Sequence, residues 1–240
     1  MAQSYLQVSL RGGGQCLSPQ SSLIDQDSPL ASQKRDVIIS HDYIPEDTLR
    51  RGLDAVHCAF NTPVASVDYR VIGAGAIWSL GKTDRKTRDF DILVADDNVK
   101  LARKLLAQDD NFGETRVDSL YYKAPSGKNF NIDVVTVSKI EITRFPAETA
   151  PQHVTLAKVG SIECLLESKI AALSSPARKI KKGQTNSDDL VFLLDLAASK
   201  GITIGYGAMP LLTTGFVRSF RRTRPQSSES WDSIGCPAEG

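Results

Sequence analysis

Two hydrophobic rhythms alternate along the chain between about residues 45 and 200, one with the period of a helix and one with the period of a strand. Pro45 to Asn61 places Leu49, Leu53, Val56 and Phe60 at helical spacing, and Pro45 with Glu46 and Asp47 suits a helix N-terminus. Asp68 to Ile72 predicts a short strand running into Gly73, and Ala74 to Leu80 a short helix stopped by Gly81. Phe90 to Ala95 follows as an apolar strand, and Asn98 to Ala107 as a helix. Leu120 to Ala124 and Phe130 to Val137 read as two strands joined through Pro125, Ser126 and Gly127.

Beyond Pro151 the pattern turns helical. Ser161 to Leu173 carries Ile162, Leu165, Leu166, Ile170 and Leu173 on one face. A basic loop with Arg178, Lys179, Lys181 and Lys182 is expected next. Ser187 to Ser199 then forms a helix, with Ser187 as N-cap and Asp188 and Asp189 at the positive end of its dipole. Strands with interleaved helices first and helices last predict an α/β (α+β) protein. Its core is a small mixed β-sheet flanked by helices, and a C-terminal helical segment follows. The expected division is a disordered leader over 1–36, the core over 37–150, the helical segment over 151–205 and a mostly disordered tail over 206–240. Both ends mix Gly, Ser, Gln and Pro without sustained periodicity.

Composition narrows the chemistry by exclusion. The 240 residues are 41% hydrophobic and 24% charged, with a formal net charge of +1. Such a molecule has no general pull on nucleic acid or acidic membranes, so any attraction for phosphate must be local. The four cysteines are scattered without a CxxC pair, which argues against a zinc ribbon and for reduced thiols in a cell interior. His41, His57 and His153 are equally dispersed, so a histidine metal cluster or a Ser-His-Asp triad has little support. The first twenty residues lack the continuous apolar run of a secretory signal. No stretch approaches the roughly twenty apolar residues of a membrane helix. A soluble, cytoplasmic protein with no membrane partner is expected.

The candidate chemistry concentrates in Val71 to Val94, VIGAGAIWSLGKTDRKTRDFDILV. A glycine-bearing strand-to-helix turn can hold phosphates through backbone N–H groups. Asp89 and Asp91 flank Phe90 on an extended segment, so both carboxylates point to one face and can share a divalent cation. Asp133 sits in the apolar strand FNIDVVTV, where a charge needs a partner or a task. Each signal alone has a plainer meaning: an Asp-x-Asp pair also decorates solvated turns, and a strand aspartate can face water at an edge. If the two strands are neighbours, the three carboxylates converge.

The order strand, glycine turn, short helix, Asp-x-Asp and later strand Asp resembles the nucleotidyltransferase superfamily, the polymerase-β-like fold. Gly73 and Ala74 stand where that family has Gly-Gly or Gly-Ser, so Ala74 keeps a backbone N–H but supplies no hydroxyl. GKTDRKTRDFD is similar to the Arg-x-Thr-x-Asp-hydrophobic-Asp approach of small members, with Lys86, Thr87 and Arg88 in the loop. LLESKIAAL is similar to the lysine-bearing helix of the minimal, AbiEii-toxin-like branch. The resemblance implies metal ligation by Asp89, Asp91 and Asp133, with Asp133 also placed to assist the acceptor. It implies phosphate contacts at Gly73 and Ala74, and nucleotide contacts from Arg88, Lys169 and Asp189. It implies Mg²⁺ or Mn²⁺ as cofactor and a nucleoside triphosphate as substrate and partner. The acceptor is left undefined as RNA, protein or a small molecule.

Other readings stay open. Lys169 is also what a solvated helix lysine looks like, Asp189 also suits a helix dipole, and a basic run is usually a solvated surface. A nucleotide-binding or interaction module of the same fold without transfer activity fits the alanine at 74. A NAD-type dinucleotide-binding protein would use Gly73-Ala74-Gly75 after a strand, with Asp91 near the ribose. Trp78 at the third glycine position and the early stop at Gly81 count against it.

Overall fold

A computed structural model describes residues 37–238 apart from 141, 143 and 154. The expected leader over 1–36 lies outside the described residues. Helix α1 (Glu46–Phe60) buries Leu49, Leu53, Val56 and Phe60 as its spacing requires. The strands are β1 (Tyr69–Val71), β2 (Asp89–Val94), β3 (Phe112–Glu114), β4 (Leu120–Lys123), β5 (Asn129–Thr136), β6 (Glu148–Thr149) and β7 (Val159–Gly160). Between them run α2 (Gly73–Ser79), α3 (Val99–Gln108) and the single turn α4 (Val137–Ile140). Then come α5 (Ile162–Ser174), α6 (Pro176–Ser199), α7 (Thr214–Thr223) and α8 (Ser228–Ser233).

The seven strands form one mixed sheet in the order β3-β4-β5-β2-β1-β7-β6. This is the expected α/β (α+β) class, a mixed sheet flanked by helices and followed by C-terminal helices. β2 and β5 run parallel at the centre, with Asp91 beside Asp133 and Asp89 beside Asn131. β1 runs antiparallel to β2, and β7 parallel to β1. Completion of the sheet by β7 draws on residues beyond 151, which the sequence pattern had assigned to the helical segment.

The alternation along β2 separates chemistry from packing. Phe90 and Ile92 are buried, at 1% and 0% exposure, on the face opposite Asp89 and Asp91. Helix α1 reaches Phe90 through Gly52, where an added Cβ would fall 2.5 Å from Phe90 Cζ. Rings of Phe90 and Tyr122 then meet edge-on at 5.6 Å, joining β2 to β4 beneath that helix.

Three expectations fail in the C-terminal half. The basic stretch from Arg178 to Lys182 is helical, part of α6, which kinks at Lys182 (φ −135°, ψ 18°); the side chains of Arg178, Lys179 and Lys181 lie outside the described ones. Ser187 is therefore inside the helix, not its cap, and its hydroxyl donates to the Gly183 carbonyl at 2.9 Å. The stretch from 206, expected as a mostly disordered tail, holds α7 and α8. Their Phe220 and Trp231 rings stand at 6.0 Å, and Trp231 is fully buried. Its four arginines and many serines hid an apolar set of Phe216, Val217, Phe220 and Trp231 that closes against α6.

Cys164 and Cys236 are free and buried, whereas Cys58 is disulfide-bonded, against the expectation of reduced thiols throughout. No helix among the described residues is long and apolar enough to cross a membrane.

Candidate metal and phosphate site

Strand pairing builds the centre of the site. Because β2 and β5 are parallel and in register, the side chains of Asp89, Asp91 and Asp133 emerge on one face, and one oxygen from each lies within 4.8 Å of the others. Thr87, buried just before β2, donates its hydroxyl to Asp89 Oδ1 at 3.0 Å and to the Asp89 carbonyl at 3.0 Å. Asn131 donates to Asp133 Oδ1 at 2.9 Å. Two of the three carboxylates are thus held by neighbours that leave other lone pairs free.

Asp91 bears the strain of the arrangement. Burial, and next the charges of Asp89 and Asp133, push its pKa up to about 7; Lys169 and Lys182 pull the other way. Only hard oxygen donors are present, with no thiolate or imidazole in the group. That donor set suits Mg²⁺ or Mn²⁺ and relieves the mutual repulsion when a dication binds.

Gly73 supplies the adjoining wall. Its φ is +63°, a conformation that glycine adopts without a Cβ penalty, and the strand ends there as α2 begins. Ala74 is buried at 6% exposure in the first turn of α2. The first N–H groups of any helix lack intrahelical acceptors, so those of this turn suit an anionic oxygen.

Gly73 and the three aspartates line a cavity of about 550 Å³, and Lys139, Lys169 and Lys182 line it too. The structure therefore gathers Asp89, Asp91, Asp133, Gly73 and Lys169 at one place. Arg88 is not among the lining residues; its guanidinium stacks 4.6 Å from the centre of the exposed Tyr43 ring. Asp189 does not reach the cavity either. It is fully buried, 2.9 Å from Lys169 Nζ and 2.8 Å from Arg85 Nε. Sequence reasoning passed over Lys139 and Asn186, and it held Arg85 only inside the quoted GKTDRKTRDFD stretch, with no role assigned. Lys139 follows the Asp133 strand directly, which places it near the site once β5 is known. Asn186 accepts from Lys169 at 3.3 Å, and nothing local announces that contact.

The dinucleotide reading does not survive this geometry. A dinucleotide-binding βαβ unit needs parallel strands around its helix, whereas β1 and β2 run antiparallel about the seven-residue α2.

Fold and site together define a mixed-sheet α/β protein with a three-carboxylate pocket faced by lysines. No protein-family model matches the chain. No curated protein matches it either. Among solved structures, it is similar to the solution structure of the antibiotic-resistance factor ANT(2'')-Ia, with a TM-score of 0.41 and 11% identity over 78% of this chain and 97% of that one. It is likewise similar to JHP933 from Helicobacter pylori, with a TM-score of 0.41 and 12% identity over 78% of each chain. At that overlap and identity, neither protein's activity transfers to this chain.

Proposed function

We propose that the protein is a nucleotidyltransferase, transferring a nucleoside monophosphate from an NTP to a hydroxyl acceptor with release of pyrophosphate. The observation that carries this reading is the meeting of three carboxylates, with oxygens within 4.8 Å, beside the positive-φ turn at Gly73. Asp89, Asp91 and Asp133 would hold Mg²⁺ or Mn²⁺, which supplies charge neutralisation of the phosphates and lowers the pKa of a bound hydroxyl. Asp133 is the most exposed of the three, which suits contact with an incoming acceptor. The turn at Gly73 and Ala74 receives phosphate oxygens through backbone N–H groups. Lys169, which lines the same cavity, binds phosphate there. The triphosphate is the partner this site asks for; acceptor choice among RNA, protein and small alcohols rests with surfaces outside it.

The test is transfer of label from each of the four NTPs, with Mg²⁺ or Mn²⁺, to tRNA, protein and small-alcohol acceptors. Transfer that disappears in Asp89→Ala and Asp91→Ala supports the reading. A second reading, metal-dependent nucleotide binding without transfer, is favoured by Ala74, which lacks the hydroxyl of a Gly-Ser turn. NTP binding with no labelled product on any acceptor selects it. The AbiEii-like branch assignment belongs to the same proposal and rests on the Lys169 helix and on Asp189 in the helix that follows.

A further inference from the structure

Two cations converge on one buried carboxylate behind the pocket. Arg85 Nε donates to Asp189 Oδ1 at 2.8 Å and to Oδ2 at 3.1 Å, and Lys169 Nζ lies 2.9 Å from Oδ2. Asp189 has no exposed surface, and the Arg85 and Lys169 side chains are 17% and 10% exposed. The two cations face different spaces. Lys169 lines the aspartate cavity, whereas Arg85 lines a separate hollow of about 240 Å³.

The charge count matters more than the contacts. Lys169 and Asp189 alone would make a closed neutral pair, with little charge left for a ligand. Arg85, arriving from a loop 104 residues away in sequence, already compensates the carboxylate. The trio then carries two positive charges and one negative, and only Lys169 fronts the site where phosphates would lie.

Building on the nucleotide reading above, we infer that Arg85 and Asp189 form a charge-balancing unit that sets how much positive charge Lys169 presents to a polyphosphate. Arg85 is then a positioning residue that acts through Asp189 without touching substrate. A purely structural staple between the 81–88 loop and α6 would use the same contacts, so the test must separate charge balance from tethering.

The probes are inorganic tripolyphosphate and ATP, each with Mg²⁺, titrated calorimetrically at fixed ionic strength. Arg85→Gln should weaken tripolyphosphate binding about tenfold, and Lys169→Met by a similar factor. The decisive variant is Arg85→Gln/Asp189→Asn. It removes one charge of each sign, leaves no lone buried ion, and should bind within about threefold of wild type. Arg85→Gln that binds like wild type overturns the inference. So does a double variant tenfold weaker than wild type, which is the outcome of a tether. Should Arg85→Gln fail to fold, the double variant is read beside Asp189→Asn, which frees Lys169 and should bind tripolyphosphate about tenfold tighter than wild type; wild-type affinity in Asp189→Asn then overturns the inference. Wild-type protein that binds tripolyphosphate yet transfers no nucleotide removes the transfer reading and leaves this inference standing. Wild-type protein that binds neither probe overturns both.

Discussion

Gly73 has no side chain because Asp91 occupies the space one would need: a Cβ built at Gly73 falls 1.9 Å from Asp91 Oδ2. The backbone there also has φ +63°, so alanine would be strained even without the clash. Gly73→Ala should destabilise the fold by about 1–3 kcal/mol and displace the Asp91 carboxylate. Urea unfolding and a Mn²⁺ titration check this together. Unchanged stability with unchanged Mn²⁺ affinity would refute the close approach.

The raised pKa of Asp91, about 7, fixes a sign for the metal-free protein. The folded value lies above the unfolded one near 3.9, so the folded state holds the proton more tightly between them. This contribution to stability is complete below about pH 4 and fades as pH climbs through 7. Asp91→Asn should flatten that part of the profile and stabilise the metal-free protein at neutral pH. Thermal unfolding with chelator from pH 4 to 8 reads it. A mutant profile as steep as wild type across that window counts against the assignment.

Thr87 acts on the site without entering it. Its hydroxyl donates to Asp89 Oδ1 at 3.0 Å, fixing one carboxylate oxygen and leaving the other for a cation. Thr87→Val should lower Mn²⁺ affinity roughly 10-fold to 100-fold, in line with other outer ligand supports. Calorimetric titration measures it. Wild-type affinity in the valine variant would show that Asp89 needs no such support.

Trp231 tests the C-terminal closure. The ring is fully buried, with the Phe216 and Phe220 rings 6.4 and 6.0 Å away. Trp231→Ala should cost about 3–5 kcal/mol, the usual toll of a large buried aromatic. Denaturant unfolding gives the number, and a loss below 1 kcal/mol would mean that α8 packs only loosely. Cutting the chain before residue 206 should have an effect at least as large.

The aspartate site was legible because its signals are local. Asp89 and Asp91 share a face by the period of a strand alone, and Gly73 declares a turn. Asp133 needed one further step, the adjacency of β2 and β5, which the apolar runs on both strands made reasonable. What stayed hidden depends on distant partners. Asp189 looked like a helix-terminal acid, because its two cations come from segments that sequence order keeps apart. Arg88, next to Asp89 in sequence, lies in a bend ahead of β2 and turns instead to Tyr43. The helices after 206 were obscured by arginines and serines that outnumber a small apolar set. The kink at Lys182 is a backbone feature that no side-chain pattern reports.

The parallel alignment of Asp91 with Asp133 makes the pocket a matter of counting. A residue inserted in β5 between Phe130 and Asp133 would rotate the third acid into the hydrophobic layer and leave its two companions facing water alone. Turn 125–127 sits at the far end of the hairpin and can lengthen or shorten without that penalty. Descendants of this chain are therefore free to vary in loop length, while the short arithmetic from Phe130 to Asp133 must be inherited intact.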